Sequence, residues 1–332
     1  MKDTSLIITS IANQEHPVLN TFAQETTKRG IPFIVMGDTK SPESFELEGC
    51  DFYSINRQQQ LPFLLADKLP TKHYARKNLG YLVAMSNGAK VIIETDDDNY
   101  PLEDFWNKRS RLTKAHLLSD KDWVNIYTYF TQEHIWPRGF ALEAILNKHP
   151  ELGEQLEIDC PIQQGLADIN PDVDAIYRLT LPLPLSFSNN DSVALGKNTI
   201  CPFNSQNTTW FEEAYPLMYL PSYCSFRMTD IWRSFIAQRI AWTCGWPILF
   251  HSKTVWQERN DHNLLVDFKD EISGYVNNKH IMDELIQLDL LEGVNGIAEN
   301  MKRCYTKMIE IGLVGSEEMD LLNAWLSDVS SI

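Results

Sequence analysis

Lys90-Val91-Ile92-Ile93-Glu94-Thr95-Asp96-Asp97-Asp98-Asn99 is the stretch on which the reading of this chain turns. Its β-branched run predicts a buried strand, and that strand runs straight into three consecutive carboxylates. Clustered acids repel one another and lose solvation near a core, so something positive must sit among them. Hard oxygen ligands of this kind suit Mg²⁺ or Mn²⁺, commonly shared between one or two carboxylates and a substrate's phosphates. The lack of a Walker-type glycine loop points away from a P-loop enzyme and toward a metal-diphosphate site of the D-x-D kind. The plainer alternative is a solvated acidic turn, with an Asp capping a helix before Leu102.

Upstream of that strand, Leu6 to Ile11 is a β-rich run and Pro17 to Lys28 reads as a helix stopped by Gly30. Ile31 to Met36 is a second strand ending at Gly37-Asp38, so the first forty residues predict a βαβ unit with a right-handed crossover. Asp51 to Ile55 predicts a third strand, and a helix from about His73 to Asn87 ends at Gly88. In open α/β sheets ligands bind outside the carboxyl ends of the strands, which places Asp38 and the triple Asp where a nucleotide is expected. Ser10 and Asn13 follow the first strand and are placed to line a base and ribose, or to serve as plain loop residues. Arg76 and Lys77 open the helix that precedes the acidic strand, so they are the cations expected to compensate it; an ordinary solvated helix face is the alternative.

Downstream the pattern loosens. Trp123 to Tyr127 predicts a strand, and 179–225 is Pro-rich and polar. Ile231, Trp232, Phe235, Ile236, Ile240 and Trp242 follow helical spacing until Gly245 and Pro247. A short strand, Ile248 to Phe250, then delivers His251, and apolar residues at helical spacing from Lys279 to Ser327 predict a small helical appendage. Trp210, Tyr215, Tyr219 and Tyr223 have the composition of a sugar-binding wall, with ordinary core as the alternative.

The chain has 332 residues and a net charge of -16, which repels nucleic acid and anionic membranes, so any bound phosphate needs a local cation or a metal. No apolar stretch approaches the roughly twenty residues of a membrane span, and Met1 to Ser10 lacks a signal-peptide pattern, so a cytoplasmic protein is expected. The six cysteines are spread singly and read as free thiols.

Arg76-Lys77-Asn78-Leu79-Gly80-Tyr81-Leu82, then Gly88-Ala89-Lys90 and the triple Asp, resemble both the STELLO glycosyltransferase-like proteins and the reversibly glycosylated polypeptides, the UDP-arabinopyranose mutases. Asp174 to Thr180, and Arg227 to Arg233 running on to Gln238-Arg239, resemble STELLO segments; Pro247 to Lys253 is similar to the end of the mutase core. These matches keep their order over roughly residues 5–255 and leave the helical tail uncovered.

The resemblance implies an α/β, glycosyltransferase A-type fold with a Rossmann-like mixed sheet flanked by helices. Residues 1–275 would form the catalytic domain, with 1–120 as nucleotide-sugar half and 121–275 as acceptor half, and 276–332 a helical appendage. Asp96 and Asp98 would then chelate Mn²⁺ or Mg²⁺, and Asp97 would touch the metal shell or the sugar. His251 is implied as a further metal or phosphate ligand, or else is a half-buried His at a strand end. Asp38 resembles the acid that reads uracil or ribose, its alternative being a turn residue. Asp230 stands where a general base would deprotonate an acceptor hydroxyl, against a role as helix cap. Arg178 and Arg227 are implied on the diphosphate or glycosyl group, or Arg178 pairs with Asp172 or Asp174.

The function expected is metal-dependent transfer of a sugar from a nucleotide-diphosphate donor, UDP-linked, to a saccharide or glycoconjugate acceptor. A UDP-sugar mutase and a non-catalytic partner of a polysaccharide synthase are the alternatives.

Overall fold

The computed structural model describes residues 3–258 and 263–332. Its first part alternates strand and helix: β1 (Thr4–Thr9), α1 (Pro17–Arg29), β2 (Phe33–Met36), β3 (Asp51–Tyr53), α2 (Ile55–Gln58), α3 (Lys77–Ser86) and β4 (Val91–Thr95). The strands lie side by side in the order β3-β2-β1-β4, all parallel, as a βαβ start requires. Gly30 ends α1 in the left-handed conformation, φ 64°, a region Gly enters without a Cβ penalty. Gly80 lets α3 rest on the sheet: a Cβ there would stand 2.7 Å from the Ile7 side chain. The carboxyl ends of β1, β2 and β4 therefore open along one edge, which carries Ser10, Asp38 and the triple Asp.

The second part is less regular. It contributes β5 (Asn99–Pro101), β6 (Leu112–Leu118), β7 (Asp122–Trp123), β8 (Gln155–Asp159), β9 (Ile162–Asp168), α4 (Ala175–Thr180), β10 (Val193–Leu195), β11 (Thr199–Ile200), β12 (Asn207–Phe211), α5 (Thr229–Thr243) and β13 (Ile248–Gln257). Among the described residues, eleven strands join one mixed sheet that continues from β4 through β12, β9, β13, β10 and β6 to β8, with β5 on β13. β12 is antiparallel to both β4 and β9, so the two parts share one continuous sheet.

Two strand expectations change. The strand expected over Trp123 to Tyr127 stops at Trp123, because the Asn125 side chain accepts from the Tyr127 amide (3.2 Å) and turns Ile126–Tyr129 into a 3₁₀ turn. The strand expected to end at Phe250 runs ten residues: it pairs with β9 from Ile248 to Trp256, with register shifts on either side of Lys253, while its other edge passes from β10 to β5.

α5 is buried on nearly every side rather than along one stripe. Its polar members are partnered: Arg233 reaches the buried Glu94 (2.8 Å), and Gln238 accepts from the Cys201 amide (3.2 Å). The chain ends in α6 (Leu264–Ile286), α7 (Ile297–Glu310) and α8 (Glu318–Ser331). α6 crosses residue 276, where the appendage was expected to begin. These helices share the main core with α3 and the sheet: Trp325 packs edge-on to Tyr81 and donates to the Pro216 carbonyl (2.9 Å), while Asp328 accepts from the Leu64 and Leu65 amides (both 2.9 Å). The tail is a covering layer of the fold. The six cysteines are free.

Candidate functional site

Two adjoining cavities open where the carboxyl ends of β1, β2 and β4 meet the start of α5. The first, about 340 Å³, lies over β1 and β2 and is lined by Ser10, Asp38, Lys40, Lys72, His73 and Arg76 among others. The second, about 300 Å³, lies between the two halves and carries Asp96, Asp97, Asp98, Arg138, Asp172 and Asp230. Thr9, Tyr74, Asp97 and Phe226 line both, so the cavities form one cleft. Tyr74 and Phe226 meet edge to face at 5.0 Å, and His73 stacks on Tyr74, making an aromatic corner at the junction.

The triple Asp forms the floor of that junction. Lys77, fully buried at the start of α3, places its ammonium 2.8 Å from Asp96 and also donates to the Thr95 and Ser205 carbonyls (3.0 and 3.3 Å). The expected compensating cation is thus present. Desolvation at the floor of the cleft raises the Asp96 carboxyl pKa against the pull of Lys77, although part of the side chain still meets water. Asp97 takes the Ser10 hydroxyl. Asp98 has only amide donors, Gln257 (2.7 Å) and Asn99 (3.1 Å), and burial, helped by the charge of Asp96, pushes it up to about 7. The Gln257 amide oxygen beside it is buried and receives no donor.

Across the cleft, Arg138 sits between two acids. It forks onto Asp172 (2.8 and 2.9 Å) and onto Asp230 (3.1 and 3.0 Å). Asp230 lies in the first turn of α5, where its Oδ1 accepts from the Ile231 amide (3.0 Å). Burial would raise its pKa, yet Arg138 overrides this and holds it at about 2. With both oxygens taken by Arg138 and its carboxyl held low, Asp230 stands here as an ion-pair partner rather than as the free general base expected for it. Arg227 lines the same cavity but spends its guanidinium on Glu271 (3.0 and 2.7 Å).

Several expected site residues stand elsewhere. His251 is inside β13, six residues before Gln257 and thus roughly 20 Å along the strand. Its Nδ1 meets the Ser252 carbonyl, and burial together with Arg109 lowers its pKa to about 4. Among the described residues no three His, Cys, Asp or Glu side chains converge as a metal site, so the set Asp96, Asp98 and His251 does not form. The longer strand carries His251 away and brings Gln257 instead.

Arg76 does not reach the acids either. It bonds Gln58 (2.5 Å) and the Leu69 carbonyl (3.0 Å), and its second terminal nitrogen, buried and without a partner, belongs to the first cavity. Asn13 closes an exposed turn on the Glu15 amide and lines neither cavity. Arg178 donates to the Pro171 carbonyl (2.9 Å), lines neither cavity, and has neither acid expected for it: Asp172 belongs to Arg138, and Asp174 caps α4.

Asp38 does line the first cavity, with its oxygens on the Lys72 and His73 amides (2.8 and 3.0 Å). Trp210, Tyr215 and Tyr219 are core: their polar atoms meet Glu94, the Ala89 carbonyl and Glu318, so no sugar wall exists there. Trp232 is buried as well. The site residues missed by sequence, Arg138, Asp172, Tyr74, Phe226 and Gln257, lie in separate loops, 3₁₀ turns and a strand end; Tyr74, Asp172 and Phe226 stand beside matched segments, whereas Arg138 and Gln257 carried no signal.

An open sheet with a parallel first half, an acidic turn at its carboxyl edge and a cleft against a second half defines a mixed α/β ligand-binding architecture. The comparisons carry this further. The model of the STELLO glycosyltransferases matches residues 227–332. Over 329 residues the chain is 27% identical to "Probable glycosyltransferase STELLO2" of Arabidopsis thaliana, covering 91% of this chain and 42% of that protein. STELLO1 of the same plant is 26% identical over 92% of this chain, again 42% of its own length. The chain thus spans less than half the length of the curated relatives it matches. The STELLO resemblance holds, and it extends through the helical tail that the sequence motifs left uncovered. A solved structure, glucosyl-3-phosphoglycerate synthase of M. tuberculosis, aligns with a TM-score of 0.40 at 10% identity over 83% of this chain and 80% of that one. No helix among the described residues is long and apolar enough to cross a membrane.

Proposed function

We propose that this chain is a glycosyltransferase of the A-type that uses a nucleotide-diphosphate sugar, UDP-linked, as donor and a saccharide or glycoconjugate hydroxyl as acceptor. The observation that carries this is the single cleft with its acids at the junction: a cavity flanked by cations over β1 and β2 suits a nucleotide, and the triple Asp lies where the diphosphate would pass into the second cavity. The names of the STELLO relatives support it.

The junction fits a hard divalent cation, Mn²⁺ or Mg²⁺. Asp96 and Asp98 are hard oxygen donors, and the Gln257 oxygen is an acceptor without a donor. Such a cation would be held by Asp96 and Asp98 and would stabilise the charge that grows on the leaving diphosphate. Lys77 keeps Asp96 in place, Ser10 fixes Asp97, and the aromatic corner of Tyr74 and Phe226 covers the junction. Arg76 and Lys72 face the donor side. Association with polysaccharide-synthesis machinery, and a cytoplasmic setting, remain part of the proposal.

Calorimetric titration with UDP, with and without Mn²⁺, tests it. Binding should be tight only with the metal, and Asp96→Asn or Asp98→Asn should remove at least ~100-fold of that affinity while the fold persists. Equal binding without metal would sink the site.

A further inference from the structure

One apolar ring stands out in a cleft whose second cavity is otherwise strongly polar. The described residues lining that cavity include five aspartates and two arginines, yet Phe226 stands among them with 48% of its surface exposed. A single apolar side chain on a convex surface is ordinary. One kept bare inside a concave, polar site marks a place where ligand surface replaces water.

Phe226 is also firmly mounted. Its ring meets the rings of Tyr74 (5.0 Å) and His73 (5.1 Å) edge to face. On one side of it the Ser225 hydroxyl donates to the Asp270 carbonyl of α6. On the other, the Arg227 carbonyl accepts from Arg138 and the Arg227 side chain pairs with Glu271 (2.7 Å). Tyr74 is committed to Asp230, its hydroxyl donating to the carboxylate (3.2 Å) and accepting from the amide (3.1 Å). Of the aromatic corner, Phe226 is the ring turned most to the open cleft, since Tyr74 and His73 are more buried.

Place in the cleft says which part of a ligand would meet it. Ile11, the other large apolar side chain left exposed among the described residues of the first cavity (52%), lines that cavity alone. Phe226 lines both cavities, beside the triple Asp. A nucleotide-diphosphate sugar runs from base through ribose and diphosphate to sugar. Laid along the cleft, it brings Ile11 to the nucleoside and Phe226 to the group beyond the diphosphate.

We propose that Phe226 is the platform on which the sugar ring of the donor stacks, and that the ring it takes is a pyranose. This rests on the transferase reading above. A chair pyranose gathers axial C–H bonds on one face, and these carry the slight positive charge that the negative face of an aromatic ring attracts. The contact orients the sugar through its carbon skeleton and leaves the hydroxyls to the polar groups around it.

Calorimetric titration with Mn²⁺ present tests this by comparing UDP with UDP-α-D-galactose, UDP-α-D-glucose and UDP-α-D-xylose. Phe226→Ala should weaken the pyranosyl donors by about tenfold and UDP by less than about twofold. Phe226→Tyr, which keeps the ring, should bind all of them as the wild type does. Ile11→Ala should weaken UDP and the UDP-sugars by the same factor. Urea unfolding of each variant checks that the fold is kept. Equal loss of UDP and UDP-sugar in Phe226→Ala, or loss of neither, overturns the proposal while the donor reading stands. So does a wild type that binds UDP but none of the pyranosyl donors. A wild type that binds no UDP at all overturns the donor reading and this proposal together.

Discussion

The two cavities of the cleft are nearly equal in size, yet they solve opposite electrostatic problems. The first gathers Lys40, Lys72 and Arg76 around Asp38, whose oxygens are held by backbone amides, and the shared Asp97 at its edge. The second gathers five acids and answers them with Lys77 from below and Arg138 from across, Arg227 being spent on Glu271. A protein with a net charge of -16 attracts no anionic ligand at long range, so an anion in the first cavity would have to be held by these local cations. The second holds its own acids in check. The contrast teaches that cations here line an open cavity on one side and neutralise the protein's own carboxylates on the other.

The largest effect is expected at Arg138. Arg138→Met leaves Asp172 and Asp230 buried without a counter-ion, which should cost about 3–5 kcal/mol, read from urea unfolding with an unchanged slope. Lys77→Met should cost clearly less, because the Asp96 side chain is 39% exposed and water replaces part of the lost pairing. Equal losses would mean the two acid clusters are equally sealed and would break the comparison.

A smaller effect is expected at the first cavity. Arg76→Gln removes the buried, unpartnered nitrogen of the first cavity and should weaken UDP binding by about tenfold, or ~1.4 kcal/mol. The Mn²⁺ dependence should survive, since Arg76 does not touch the triple Asp. A loss of metal dependence would show that the cavities act as one electrostatic unit.

The smallest effect concerns His251 and separates sheet from site. Its folded pKa of about 4 lies below the ordinary value of 6.5, so between those values the unfolded chain holds a proton that the folded chain rejects. Stability contributed by the neutral ring is therefore present above pH 6.5 and lost as pH falls through 4. His251→Gln should narrow the difference in urea midpoint between pH 7 and pH 4.5 while leaving Mn²⁺-dependent UDP binding within about twofold. Loss of the metal response would return His251 to the site.

The first half of the fold was legible because its signals are local. Strand runs, the Gly30 stop and the acidic turn lie within a few residues of one another, and parallel packing leaves little choice of order. For the same reason the sequence places Ser10, Asp38 and the triple Asp at the carboxyl ends of their strands and Lys77 on the helix that compensates the acids. The second half misled at specific points. Asn125 diverted a strand by a side-chain bond, the bulges around Lys253 extended another, and that extension moved His251 out of the cleft. Aromatics whose spacing and setting suited a sugar wall became core because Glu94, Glu318 and a backbone carbonyl supplied their polar partners.

What the sequence by itself determined is the order of elements in the first half, the acidic turn and the cation beneath it, since each follows from periodicity and neighbouring residues. What only the tertiary structure decided is the fate of charge across the cleft. Arg138 meets Asp230 from 92 positions away, and Gln257 meets Asp98 from 159. Coulombic and hydrogen-bond energies depend on distance in space and on burial, and neither is written in the spacing of residues along a chain.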